Sequence, residues 1–289
     1  MCGRYAQARN QHELQLAFDF PEADPEGPPA PGGGTRAWPP LEELAPHYNI
    51  APGARVYAVV GTPPAHAGGT ARGPQALSTL RWGLVPSWAK DAAVGYKMIN
   101  ARAETVAEKP AFRAAFARRR CLLPADAYYE WQLLPGNGRG AAEPGTSPAT
   151  DPDHKRRKAG AKKRPFSIGY RDGAPLALAG LFERWRDPGL PDEDPAAWLW
   201  TCTVITTAAA GGLADLHERM PVVVPRAAWD TWLDPASGPA DLLHVLDATP
   251  VADLEIRQVG PDVNSVRNNG PHLLEPAADD PDPQAATLF

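Results

Sequence analysis

Three long stretches, Pro21 to Pro40, Thr62 to Pro74 and Leu134 to Arg164, are rich in Pro, Gly, Ala or charge and carry no apolar periodicity. Whatever this chain buries must therefore come from the short apolar segments between them, and the three stretches read as surface loops. Loops of that length are usually functional or disordered, so they do not by themselves mark domain boundaries. The segments Arg55 to Val60, Leu80 to Val85, Arg120 to Pro124, Pro165 to Tyr170, Leu176 to Leu181 and Trp198 to Thr206 are β-branched and apolar, and predict strands. Helices are predicted over Asn10 to Phe18, with Asn10 as cap, over Pro110 to Arg119, and over Pro225 to Leu233. Many short strands with few helices point to an α+β domain whose mostly antiparallel sheet curls into a barrel-like core. With 289 residues, 43% of them hydrophobic, one such domain over residues 2–275 can bury a sizeable core, leaving 276–289 as a disordered tail.

Charge and cysteine usage narrow the chemistry. The formal net charge of -5 argues against a generic nucleic-acid binder, because counterion release needs clustered Lys and Arg. The acidic residues fall partly in Pro-rich stretches, Pro21 to Glu26, Asp187 to Asp194 and Asp279 to Asp282, and so say little about a binding face. One basic run, His154 to Lys158 followed by Lys162 to Arg164, is either a solvated loop or an arm adding non-specific phosphate affinity. Cys2, Cys121 and Cys202 lie too far apart for a disulfide framework or for zinc-ligand spacing, so neither metal nor other cofactor is expected. The first residues show no basic leader followed by an apolar run and no membrane span is visible; a reducing, cytoplasmic setting is expected. Nothing in the sequence demands an oligomer.

The motifs that survive between the loops are MCGRY (Met1 to Tyr5), YNIAP (Tyr48 to Pro52), RWGLVPSW (Arg81 to Trp88), NARAET (Asn100 to Thr105), RCLLPADAYYEW (Arg120 to Trp131), AGLFERW (Ala179 to Trp185), TT (Thr206 and Thr207) and HERMPV (His217 to Val222). Their order resembles the SRAP family, the SOS-response-associated peptidases or abasic-site processing proteins. The resemblance covers most of the chain apart from the three loops and the tail, and it implies capture of an abasic site in single-stranded DNA, during which the protein becomes covalently linked to the lesion and shields it. A DNA-bound protein of this kind is expected at the nucleoid.

Cys2 is where chemistry and resemblance meet. With Met1 removed, it offers an α-amine and a thiol on adjacent carbons. An α-amine of intrinsic pKa about 7.7 to 8.0 is substantially neutral at physiological pH and can form a Schiff base with an aldehyde. Closure by the thiol to a thiazolidine gains an effective molarity on the order of 10⁵ M or more. Glu130, flanked by aromatic residues that can desolvate it, is suited to move protons; an exposed strand-end carboxylate is the plain alternative. The resemblance further implies that Asn100 and His217 hold the opened sugar. It also implies DNA contacts from Arg4, Arg102 and Arg219, a stacking role for Trp82, and backbone contacts from Asn49 and Thr206. Trp88 is read as core, and Cys121 and Cys202 as buried, inert thiols. Two other readings stay open: a thiol peptidase with Cys2 as nucleophile and His217 as base, and a non-covalent single-strand binding module. A lyase branch through the Schiff base would extend the first reading.

Overall fold

In strand β3 (Arg55–Gly61), Tyr57 and Val59 face one way while Val56, Ala58 and Val60 face the other, and all five are buried. A strand reads as a continuous apolar run when both its faces are covered, and here two different layers cover them. The computed structural model describes residues 2–19, 41–61, 75–134, 163–191 and 194–277. Within these, β3 pairs with β4 (Gln75–Trp82) and β6 (Arg120–Ala125), β6 with β9 (Leu176–Arg186), and β9 with β10 (Trp198–Ala208). Strand β10 returns to β4 in a parallel pairing, which closes a five-stranded ring. Two three-residue strands, β5 (Asn100–Arg102) and β11 (Arg219–Pro221), flank β10, the first parallel and the second antiparallel.

A second sheet runs in the order β12 (Leu254–Gln258), β8 (Lys163–Tyr170), β7 (Ala127–Leu133), β1 (Tyr5–Gln7), β2 (His47–Ile50), with every pairing antiparallel. One core layer packs Val56, Ala58, Cys121, Cys202 and Val204 of the ring against Tyr5, Tyr128 and Ile168 of this sheet. On the ring's other face, Tyr57, Val59, Leu122 and Ile205 meet the helices α1 (Gln11–Phe18), α2 (Arg113–Arg118), α3 (Trp229–Leu233) and α4 (Pro239–Leu246). The expected α+β class with a curled, barrel-like, mostly antiparallel sheet is what forms. Asn10 caps α1 in a reciprocal capping box with Glu13.

Some boundaries differ from expectation. The strand predicted over Leu80 to Val85 lies over Gln75–Trp82, because Gly83 adopts φ +124° and turns the chain. The helix predicted from Pro110 starts at Arg113, and the one predicted from Pro225 begins as a 3-10 turn, Arg226–Ala228, before α3. Helix α4 and strands β1, β2, β5, β7, β11 and β12 were not predicted. The loop expectations for 21–40 and 62–74 lie outside the described residues, as does nearly all of 134–164. Of the basic run, Lys163 and Arg164 are the first residues of β8. Pro276 and Ala277, placed in the tail by sequence, still pair with Val259 and Gln258.

Candidate active site

Cys2 is held in place rather than frayed. It is 0% exposed, its carbonyl accepts a 2.8 Å hydrogen bond from Asn100 Nδ2, and the Arg4 backbone N–H bonds to its sulfur. Strand β1 begins three residues later and inserts between β2 and β7, with Tyr5 opposite Tyr128 and the Arg4 carbonyl accepting from the Tyr129 N–H. This antiparallel register leads the chain from Tyr5 back toward Glu130, whose charge acts on the Cys2 thiol. Burial, then the Glu130 charge, push that thiol well above its ordinary value.

Asn100 reaches Cys2 because β5 lies alongside β10. Ala101 turns into the core and is 0% exposed, so Asn100 and Arg102 share the opposite face. The Asn100 amide oxygen is buried and has no hydrogen-bond partner among the described residues. Glu130 is a buried carboxylate on β7, and burial raises its pKa. His217 sits at the same end of β10, two residues before β11. Its Nδ1 accepts from the Arg219 backbone N–H at 2.9 Å, so the neutral ring carries its proton on Nε2. Burial lowers its pKa, which favours that neutral form. Cys2, Asn100 and Glu130 thus come together where the two sheets meet, and His217 precedes β11, which flanks the same strand, β10, as the β5 that carries Asn100. Among the described residues no three His, Cys, Asp or Glu side chains converge as metal ligands.

Residues 1–266 match the family described as SOS response associated peptidase (SRAP). The chain belongs to the SRAP family. It is similar to the abasic site processing protein YoqW of Bacillus subtilis, 35% identical over 95% of this chain and 99% of that protein. It is also 31% identical to the abasic site processing protein HMCES of Rattus norvegicus, over 68% of this chain and 56% of that protein. Among solved structures, a protein from Bacteroides thetaiotaomicron shares the fold with a TM-score of 0.65 at 19% identity, covering 96% of this chain and all of that one.

In this SRAP chain the residues expected to face DNA divide. Arg102 is exposed. Arg4 instead donates to Asn49 Oδ1 at 2.7 Å and to the Val263 carbonyl at 2.9 Å, and lies 5.4 Å from the Trp131 ring centroid. Asn49 is buried and directs its amide N–H groups at the carbonyls of Val263, Ser265 and Asn268, tying that segment to β2. Arg219 forms a bidentate pair with Glu104 at 2.6 and 2.9 Å and also donates to the Thr206 carbonyl. Thr206 itself is buried, its hydroxyl directed at the Ala101 carbonyl. These four side chains are engaged inside the protein, so the phosphate and backbone contacts expected of them must come at the expense of existing bonds.

The two tryptophans have surroundings opposite to those expected. Trp82, expected to stack on DNA, is 1% exposed, packs 5.1 Å from Tyr5 and donates its indole N–H to the Ile99 carbonyl. Trp88, expected in the core, is 64% exposed, and nearby in sequence Tyr96 is 67% exposed. The polar setting of both was visible in the sequence, Ser87 before Trp88 and Lys97 after Tyr96, but no periodicity distinguishes an outward aromatic within a turn. Cys121 and Cys202 are buried thiols, as expected.

Proposed function

We propose that this chain is an abasic site processing protein that captures the aldehyde of an abasic site in single-stranded DNA as a thiazolidine on Cys2. The observation that carries the reading is the seat of Cys2: its carbonyl is fixed by Asn100, and its thiol is buried within the field of Glu130. With Met1 removed, the Cys2 amine adds to the aldehyde and water leaves, giving an imine. The sulfur then bonds to the imine carbon, the C=N electron pair passes to nitrogen, and the thiol proton follows through Glu130. A carboxyl raised by burial exchanges protons at a pH closer to neutral than an ordinary glutamate does. Neutral His217 presents Nε2–H to the sugar hydroxyl freed on ring opening, and the Asn100 amide oxygen accepts from a sugar hydroxyl. Exposed Arg102 supplies a phosphate contact, and Trp88 and Tyr96 offer stacking faces for unpaired bases. In this reading the protein acts in the cytoplasm, on DNA of the nucleoid.

The thiol peptidase reading draws less support. A Cys–His nucleophile depends on a depressed thiol pKa, whereas burial raises this one. Intact-mass measurement of the protein after incubation with abasic single-stranded DNA tests the proposal. A product equal to protein lacking Met1, plus DNA, minus water is expected, and Cys2→Ala should abolish it. An adduct formed at wild-type yield by Cys2→Ala, or none with the wild type, would sink it.

A further inference from the structure

Tyr128 is the cross-strand partner of Tyr5, and both lie in the core layer that contains Cys2. Its phenolic oxygen is buried and has no hydrogen-bond partner among the described residues. A buried tyrosine ordinarily satisfies its hydroxyl. The next residue does so: Tyr129 turns to the opposite face of β7 and donates to the Tyr48 carbonyl at 2.7 Å. Strand alternation returns Glu130 to the Tyr128 face, the side on which Cys2 lies. Tyr5 also has an unpartnered hydroxyl and is also acted on by Cys2, but Cys202 on β10 bears on it more strongly, whereas the groups that act on Tyr128 are Cys2 first and then Glu130. Burial keeps the Tyr128 phenol protonated far above its ordinary range, so at neutral pH it is a standing donor.

A donor without an acceptor, beside a thiol that must lose its proton in an apolar layer, has one evident moment of use. We infer that Tyr128 is a further catalytic residue for ring closure, its hydroxyl donating a hydrogen bond to the Cys2 sulfur as that sulfur gives up its proton. The inference rests on the thiazolidine reading above. In the step concerned, the S–H and C=N bonds are exchanged for S–C and N–H bonds: the thiol proton passes to the Glu130 carboxylate and from there to nitrogen. Tyr128 keeps its own proton throughout. Its part is to stabilise the negative charge that appears on sulfur between the two transfers, inside an apolar layer where an unpaired charge is costly.

The test separates the two chemical steps. Protein lacking Met1 is mixed with an abasic single-stranded oligonucleotide; borohydride quenching at early times traps the imine, and the unreduced covalent product reports closure. Wild type, Tyr128→Phe and Tyr129→Phe are compared from pH 5.5 to pH 9. Loss of one charge-assisted hydrogen bond should slow closure roughly tenfold at pH 7 and move its rate–pH profile up by about one unit, while the imine forms at the wild-type rate. Tyr129→Phe, which loses a bond on the other face, should keep the wild-type profile even if it melts earlier. Closure kinetics in Tyr128→Phe that overlay the wild type, or imine formation and closure slowed in equal proportion, overturn the inference. No adduct in the wild type defeats the capture reading and this role with it; a normal wild-type adduct with unchanged Tyr128→Phe kinetics defeats this role alone.

Discussion

Burial moves the two titrating side chains of the site in opposite directions, Glu130 up from 4.5 and His217 down from 6.5, and so makes both neutral forms more available near pH 7 than they are in water. For His217 the consequence is chemical: protonating Nδ1 would break its bond from the Arg219 N–H, so the ring serves as a donor through Nε2. For Glu130 there is also a stability consequence. Its folded pKa lies above its unfolded one, so the folded state holds the proton more tightly, and the penalty for the buried carboxylate is fully present above the folded value. It disappears as pH falls below the unfolded value near 4.5. Glu130→Gln should therefore melt higher than wild type at pH 7, with the difference shrinking toward pH 4, while its crosslinking rate falls by about 10²- to 10⁴-fold. Thermal melts between pH 4 and 8 check the first part; a melting difference independent of pH would falsify it.

Three of the four site residues stand at the shortest strands among the described residues. Cys2 precedes β1, Asn100 opens β5 and His217 precedes β11, and each of these strands has three residues. Runs so short fall below any alternation that can be read along a chain, and their burial comes from the neighbours they pair with. Strand β7 is longer but mixes Glu130 and Gln132 with aromatics, which hides its period. The ring strands were legible because both their faces are covered; the site strands were not, and only the motifs pointed to their residues. The motifs in turn were silent on exposure, which is why Trp82 and Trp88 were assigned the wrong surroundings. The approach to β5 depends on another feature no pattern displays. A side chain on Gly95 would place its Cβ 2.6 Å from the Gly83 carbonyl oxygen, and one on Gly83 would lie 2.8 Å from that of Gly95. This close backbone contact sets the start of the segment that leads into Asn100, with the Leu84 N–H bonded to the Met98 carbonyl. Gly95→Ala forces two backbones apart and should destabilise the fold by about 1–3 kcal/mol. Under conditions where it remains folded, it should also lose crosslinking more steeply than stability, because Asn100 shifts from Cys2. Denaturant melts paired with crosslink rates check this; wild-type rates in the folded variant would count against it.

At the scale of the whole molecule, the chain carries a net charge of -5 and yet is proposed to hold a polyanion. The arginines gathered at the site do not resolve this by themselves, because Arg4 is occupied by Asn49 and Val263, and Arg219 by Glu104 and Thr206. Arg102 stands exposed on the site face of β5, and Lys97 is exposed beside Tyr96. A single-stranded ligand neutralised by these two described cations alone releases few counterions, so on the proposed reading the non-covalent encounter is weak and retention falls to the bond formed at Cys2. Stacking on Trp88 and Tyr96, which salt barely affects, then contributes a larger share of the encounter than it would in a basic protein. The salt dependence of reversible binding, measured with Cys2→Ala so that no covalent product forms, should accordingly be shallow. Each phosphate contact on a single strand contributes a slope of about -0.7 in log affinity against log salt, so Arg102→Ala should flatten the line by about that amount. A steep slope in the parent, unchanged by Arg102→Ala, would mean that cations outside the described site hold the DNA, and that the covalent bond is not what keeps it there.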